Sequence, residues 1–211
     1  SSISPTGFDN EIAVLTDLRG EPKLTTLFQP ANKRFVGDVD LHWDAARMLV
    51  SMQAKNGRWG VHEVSIDGKT ARELPLIEQP DVDNYDACYL PNGNVIFCST
   101  APFTGVPCVG GSSHVCNLYL LDQPSGRIRR LTFDQEHNWC PVVLNNGRVM
   151  YLRWEYSDIP HYVARILFHM NPDGTEQMEY YGSNSYWPNS TFYARPVPEH
   201  PTRFVGIIGG H

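Results

Sequence analysis

The chain has 211 residues, with 17 Lys and Arg against 23 Asp and Glu, so its formal net charge is −6. That balance excludes the basic stripe of a nucleic-acid binder and the polybasic anchor of a membrane-surface protein. At 41% hydrophobic and 19% charged residues the chain is globular, and no apolar run approaches the roughly 18–20 residues that span a bilayer.

The first ten residues, SSISPTGFDN, lack the basic-then-apolar order of a signal peptide. Residues 11–28 read as one hairpin. Three longer stretches then share a layout of strand, tight turn and apolar strand: DVDLHWDAARMLVSM (38–52), NYDACYLPNGNVIFCS (84–99) and NWCPVVLNNGRVMYLRW (138–154). Asn92-Gly93 and Asn146-Gly147 fall where a two-residue hairpin needs positive φ, and 44–46 fills that place less ideally. A second hairpin follows each: GVHEVSIDGKTARELP (60–75), NLYLLDQPSGRIRRLT (117–132) and ILFHMNPDGTEQMEYY (166–181). Their turns carry Asp67-Gly68, Ser125-Gly126 and Asp173-Gly174.

Aligning Arg47, Asn94, Arg148 and Arg203 gives offsets of 47, 54 and 55 residues. Two hairpins per repeat of this length predict a four-stranded propeller blade. Unrelated hairpins in a sandwich would not repeat their turn chemistry in register. The expected architecture is therefore all-β: full blades at 36–76, 84–132 and 138–181, with half blades at 11–28 and 186–211. Residues 195–201 are an insertion at the last turn. The halves could close a four-bladed ring. A stretch of a longer ring fits better, because small rings are uncommon.

The closing Arg129-Arg130-Leu131-Thr132 and the Pro172-Asp173-Gly174 turn resemble TolB-like, PD40-type β-propellers. RWEYSDIPHY (153–162), the run from 166 to 211, and Cys-Val-Gly-Gly (108–111) look narrower still. They resemble the propeller region of hydrazine synthase alpha-subunit-like proteins. The resemblance implies a six- or seven-bladed ring in a bacterial periplasmic or secreted protein, with flanking domains in the same parent chain. It does not carry catalysis over. Covalent c-type haem needs Cys-x-x-Cys-His, which this chain lacks, so no such haem is attachable here.

In such blades one rim gathers the loops 53–59, 101–115, 154–164, 133–138 and 182–186. Loops on a rigid scaffold are where function concentrates. The candidate ligand-binding residues there are Trp59, His137, Arg153, Trp154, Glu155, Asp158 and His161. Trp59 and Trp154 offer indole faces for stacking, and Arg153 suits a carboxylate. Asp158 and Glu155 equally suit capping of loop amides. Cys108, His114 and His161 combine a thiolate with imidazoles, the donor set of zinc or a similar metal, although their spacing matches no known motif. Ser112 and Ser113 beside His114 lack the elbow of a hydrolase nucleophile. Trp43, Trp139 and Trp187, near blade starts, are expected in the core. Cys88 and Cys98 read as small buried hydrophobes on opposite faces, Cys140 as buried, and Cys108 with Cys116 as a pair that could be bridged.

The leading expectation is a non-catalytic binding or scaffold module with a protein or small-molecule ligand at the rim, and no nucleic acid or membrane span. The alternatives are the propeller part of a redox or metal enzyme whose haem domains lie elsewhere, and a propeller gating a separate hydrolase domain.

Overall fold

β-Branched and aromatic residues dominate the runs between the Gly-bearing turns, and a pleated sheet is the surface they pack on best. The computed structural model describes residues 3–106, 110–156, 164–183 and 187–209. Among these, regular structure is sixteen strands and one 3-10 turn, Ala31–Lys33. No helix is long and apolar enough to cross a membrane. The chain divides into two units, Ser1–Ala87 and Cys88–His211.

In the first unit, β1 (Ile12–Thr16) and β2 (Lys23–Phe28) form an antiparallel pair. A four-stranded antiparallel sheet follows in the order β3 (Val36–Leu41), β4 (Arg47–Gln53), β5 (Trp59–Ser65), β6 (Ala71–Glu73). Every residue from Met48 to Met52 is buried, so β4 is covered on both faces. Val36, Met48, Val50 and Val64 make one core cluster, with Ile12 and Phe28 packed against it.

The next sheet runs β10 (Arg127–Arg130), β9 (Asn117–Asp122), β8 (Val95–Ser99), β7 (Asn84–Tyr89), and the unit boundary falls within β7. The last sheet of the second unit runs β11 (Asn138–Val143), β12 (Val149–Glu155), β13 (Ala164–Met170), with β14 (Met178–Tyr181) on β13. The hairpin β15 (Ser190–Pro196) and β16 (Phe204–Gly209) joins this sheet through a single parallel pair, Arg165 with Ser190. Val142, Leu144, Met150, Leu167 and Ala194 form its core, with Tyr180 and Phe204 against it. Two sheets are antiparallel fours, a third adds the β15–β16 hairpin to the antiparallel four β11–β14, and the fold is that of propeller blades.

The turn glycines Gly68, Gly93, Gly126, Gly147 and Gly174 all adopt positive φ. A second repeat feature carries no glycine. Asp38, Asp86, Cys140 and Tyr193, one in each blade's first strand, have φ of 50, 47, 53 and 49°. In β3, β11 and β15 the register shifts across that residue, so each of these strands carries a β-bulge there.

Two packing expectations are corrected. Trp43 and Trp187 are 61% and 66% exposed rather than in the core. Trp43 lies beyond the end of β3, in the turn before β4, where the pleat no longer aims side chains inward. Cys140 is only partly buried, because the bulge re-aims it, whereas Cys88 and Cys98 are fully buried.

Candidate functional site

The segment 133–138 leads from β10 into β11 and sets the candidate site of the second unit. His137 precedes β11, Trp139 lies on β11, and Trp154 lies near the end of β12. Strand pairing of Asn138 with Arg153 and Trp139 with Leu152 brings these residues together. The His137 ring stacks on Trp139 at 4.4 Å with planes 17° apart. Trp154 lies 6.0 Å from His137 and 6.3 Å from Trp139, each at 13°. These separations make a triangle of offset, near-parallel rings, the arrangement that ring quadrupoles favour. Tyr156 meets Trp154 edge-on at 5.5 Å, and the Arg165 guanidinium lies 5.1 Å over the Trp154 ring. Val106 and Val115 pack with Trp154 beneath the array.

The backbone orients the His137 ring. Its Nδ1 accepts the Cys116 N–H at 3.1 Å, so the neutral ring carries its proton on Nε2. The Cys116 thiol lies 3.3 Å from the same nitrogen and donates to the Asn138 carbonyl at 3.3 Å. The Cys98 thiol also donates to that carbonyl, at 3.5 Å.

Charge surrounds the rings. Arg153 reaches Asp134 at 3.0 Å and Glu155 at 2.6 Å, and lies 4.7 Å over Phe168. Burial holds the Tyr151 phenol well above the usual tyrosine range, and the Asp134 charge adds to this. Arg130 donates to the Thr132 carbonyl at 2.8 Å and to Asn117 Oδ1, and covers the Phe133 ring at 4.7 Å. Asn117 Nδ2 faces four oxygens at once: the carbonyls of Cys116 (3.1 Å), Asp134 (3.4 Å) and Glu136 (3.3 Å), and Asn138 Oδ1 (3.1 Å). Glu136 itself is buried, and burial pushes its pKa up; a charge on His137 would act the other way.

Of the residues singled out from the sequence, the structure brings together His137, Arg153, Trp154 and Glu155. Two indoles differ from the expectation of an open stacking face. Trp154 is 7% exposed and packs in a core cluster with Val106 and Val115. The other is Trp59. It is 9% exposed, packs edge-on against Phe35 at 5.2 Å, and donates its indole N–H to the Ile3 carbonyl. The cause is local: Trp59 opens β5, and residues 3–8 and Phe35 fold onto that end. His114 meets Phe103 edge-on at 5.5 Å and bridges Gly105 through its backbone. Asp158, His161 and Cys108 lie outside the described residues, as does the Cys108–Cys116 pairing. Among the described residues no three His, Cys, Asp or Glu side chains converge on a metal position.

Sequence reasoning missed Trp139, Asn117, Glu136 and Arg165. A core role was expected for Trp139. The structure leaves it half-buried, packed against the Val106, Val115 and Trp154 cluster.

No family model matches the chain, and no curated protein sequence matches it. Solved structures do resemble it. Kuenenia stuttgartiensis hydrazine synthase superposes with a TM-score of 0.63 at 15% identity, over 82% of this chain and 29% of that one. TolB from Acinetobacter baumannii gives 0.55 at 16% identity, over 87% and 45%. The tricorn protease gives 0.61 at 12% identity, over 97% and 19%. At such identities the likeness is one of fold: the chain has the TolB-like β-propeller fold. It spans less than half the length of each of these three chains.

Proposed function

We propose that the chain is a non-catalytic binding and scaffold module of a larger extracytoplasmic bacterial protein, and that the half-buried His137 and Trp139 rings, backed by the buried Trp154, hold its ligand. The carrying observation is the parallel ring array itself, rigid on paired strands and bordered by Arg165. Flat rings with a polar edge give contact area at low entropic cost and take a partner's planar or cationic group. His137 spends Nδ1 on the Cys116 amide, which removes it as a base on that side and supports recognition over catalysis. A periplasmic or secreted location follows the resemblance drawn from the sequence. A zinc or similar ion on Cys108, His114 and His161 belongs to the same proposal. Metal analysis of the purified chain, compared with a Cys108→Ala variant, tests it; equal content in both would remove it.

The test of the main reading is affinity purification from the periplasmic fraction, followed by titration of the recovered partner. Trp139→Ala and Arg165→Ala should each weaken binding at least about tenfold, as truncation of an interface anchor does. Near-ultraviolet circular dichroism checks that both variants fold. A partner bound equally by wild type and both variants overturns the assignment of the site.

A further inference from the structure

The two ends of the second unit differ in what they expose. Strands β8, β10, β12 and β14 all finish at one end. Direction alternates along each sheet, and the Asn138 amide donates to the Cys116 carbonyl, which ties the start of β11 to the start of β9. An exposed aromatic ring closes or follows each of these strands: Phe103 after β8, Phe133 after β10, Tyr156 after β12, and Tyr181 with Trp187 at β14. The five are 42–73% exposed. At the other end, the turns 91–94, 123–126, 145–147, 171–177 and 198–203 hold no exposed large apolar residue. Single exposed rings are ordinary on a protein surface, but five confined to one end are not.

Four of the rings are braced. His114 meets Phe103 edge-on at 5.5 Å, and Arg130 lies 4.7 Å over Phe133. Trp154 meets Tyr156 edge-on at 5.5 Å, and Phe204 meets Tyr181 edge-on at 5.8 Å. A ring held in this way loses little freedom on binding.

The surroundings of the rings define the partner. Segments 102–115 and 182–189 contain no Asp, Glu, Lys or Arg and are rich in Gly and Ser. Arg153 closes both Asp134 and Glu155, and Arg130 donates to Asn117 and the Thr132 carbonyl. These charges are spent within the protein, which matches an uncharged partner. The exposed aliphatic side chains of the unit, Met178, Val205, Ile207 and Ile208, lie on β14 and β16 and not in these loops. The core of a protein–protein interface is a continuous apolar patch. Here flat rings alternate with small neutral polar residues. A pyranose is the counterpart of that surface. Its C–H face suits the negative face of an aromatic ring, and its hydroxyls suit neutral donors and acceptors.

We propose that this end of the second unit binds an uncharged polysaccharide, with sugar rings stacked on Phe133 and Trp187. The proposal rests on the reading of the chain as a binding module, and it names the class of ligand for the end that also carries His137 and Trp139.

The experiment is electrophoresis of the full chain in native gels containing a soluble uncharged polysaccharide (mixed-linkage β-glucan, glucomannan or dextran) or, as the charged counterpart, polygalacturonate. At least one of the three uncharged polymers should retard the chain, and polygalacturonate should not. Phe133→Ala and Trp187→Ala should each weaken the retardation at least about fivefold, as loss of a binding anchor does. Trp43→Ala, which removes an exposed indole from the first unit, should leave it unchanged. Unaltered urea midpoints show that the variants fold. No retardation by any uncharged polymer, retardation by polygalacturonate alone, or equal retardation of wild type, Phe133→Ala and Trp187→Ala overturns the proposal. A protein partner that depends on Trp139, found where no polysaccharide binds, overturns the glycan and leaves the binding module standing. Failure of both overturns both.

Discussion

Asn117 shows how one side chain can set a site without touching a ligand. It is fully buried on β9, where an amide rather than an aliphatic group is warranted only if donors are scarce. Its nitrogen serves the loop carbonyls of Asp134 and Glu136, and its oxygen accepts from Arg130. Asn117→Ala orphans several buried oxygens at once, and each orphaned group costs about 1–3 kcal/mol. Relaxation and water entry recover part of this, so a loss of roughly 3 kcal/mol is expected in urea unfolding. Asn117→Asp should be worse than Ala, because it turns a carboxylate oxygen toward four others. If Asp proved milder than Ala, the amide would not be acting as a donor. Little of this was legible in the sequence, where Asn117 reads only as the first residue of an apolar strand. The same holds for Glu136, whose charge in a DQEHN run suggests a solvated loop. Burial of such residues depends on which strand folds over them, and that is a long-range property.

At the scale of elements, the turn chemistry was readable because it is local. Asp67-Gly68, Asn92-Gly93, Ser125-Gly126, Asn146-Gly147 and Asp173-Gly174 place glycine at positive φ, and the four-stranded grouping follows from their spacing. The positive φ at Asp38, Asp86, Cys140 and Tyr193, and the bulge at three of them, were not readable. No residue type marks them, and a strand that bends to meet its neighbour accepts a non-glycine at positive φ. Trp43 was misplaced for a related reason, since period-2 alternation stops applying past the strand end. The turns are also not equivalent. A Cβ on Gly93 would meet nothing within 4 Å, whereas one on Gly68 would sit 1.7 Å from the Leu27 carbonyl oxygen. Gly93→Ala should therefore cost only the backbone penalty, about 1–2 kcal/mol. Gly68→Ala must also push the β5–β6 turn off β2, and a loss of about 4 kcal/mol is expected. Equal midpoints for the two variants in urea would mean that the β1–β2 hairpin does not pack on that turn.

For this 211-residue stretch, two features oppose each other. The net charge of −6 drives copies apart. Against this, β16 ends its sheet order where a blade's next strand would pair, with Val205, Ile207 and Ile208 at 65, 62 and 58% exposed. An edge strand with exposed apolar side chains is a template for pairing with another chain. Salt decides between the two, because the screening length falls from about 10 Å at 0.1 M to about 3 Å at 1 M. Light scattering should accordingly rise with salt at fixed protein concentration. Ile207→Lys lowers the net negative charge yet places a charge on the edge, while Ile207→Glu does both in the other sense. If the strand edge is the seat of association, both variants flatten the salt response, with urea midpoints within about 0.5 kcal/mol of wild type. If only the Glu variant does so, net charge alone controls association and β16 is not the contact.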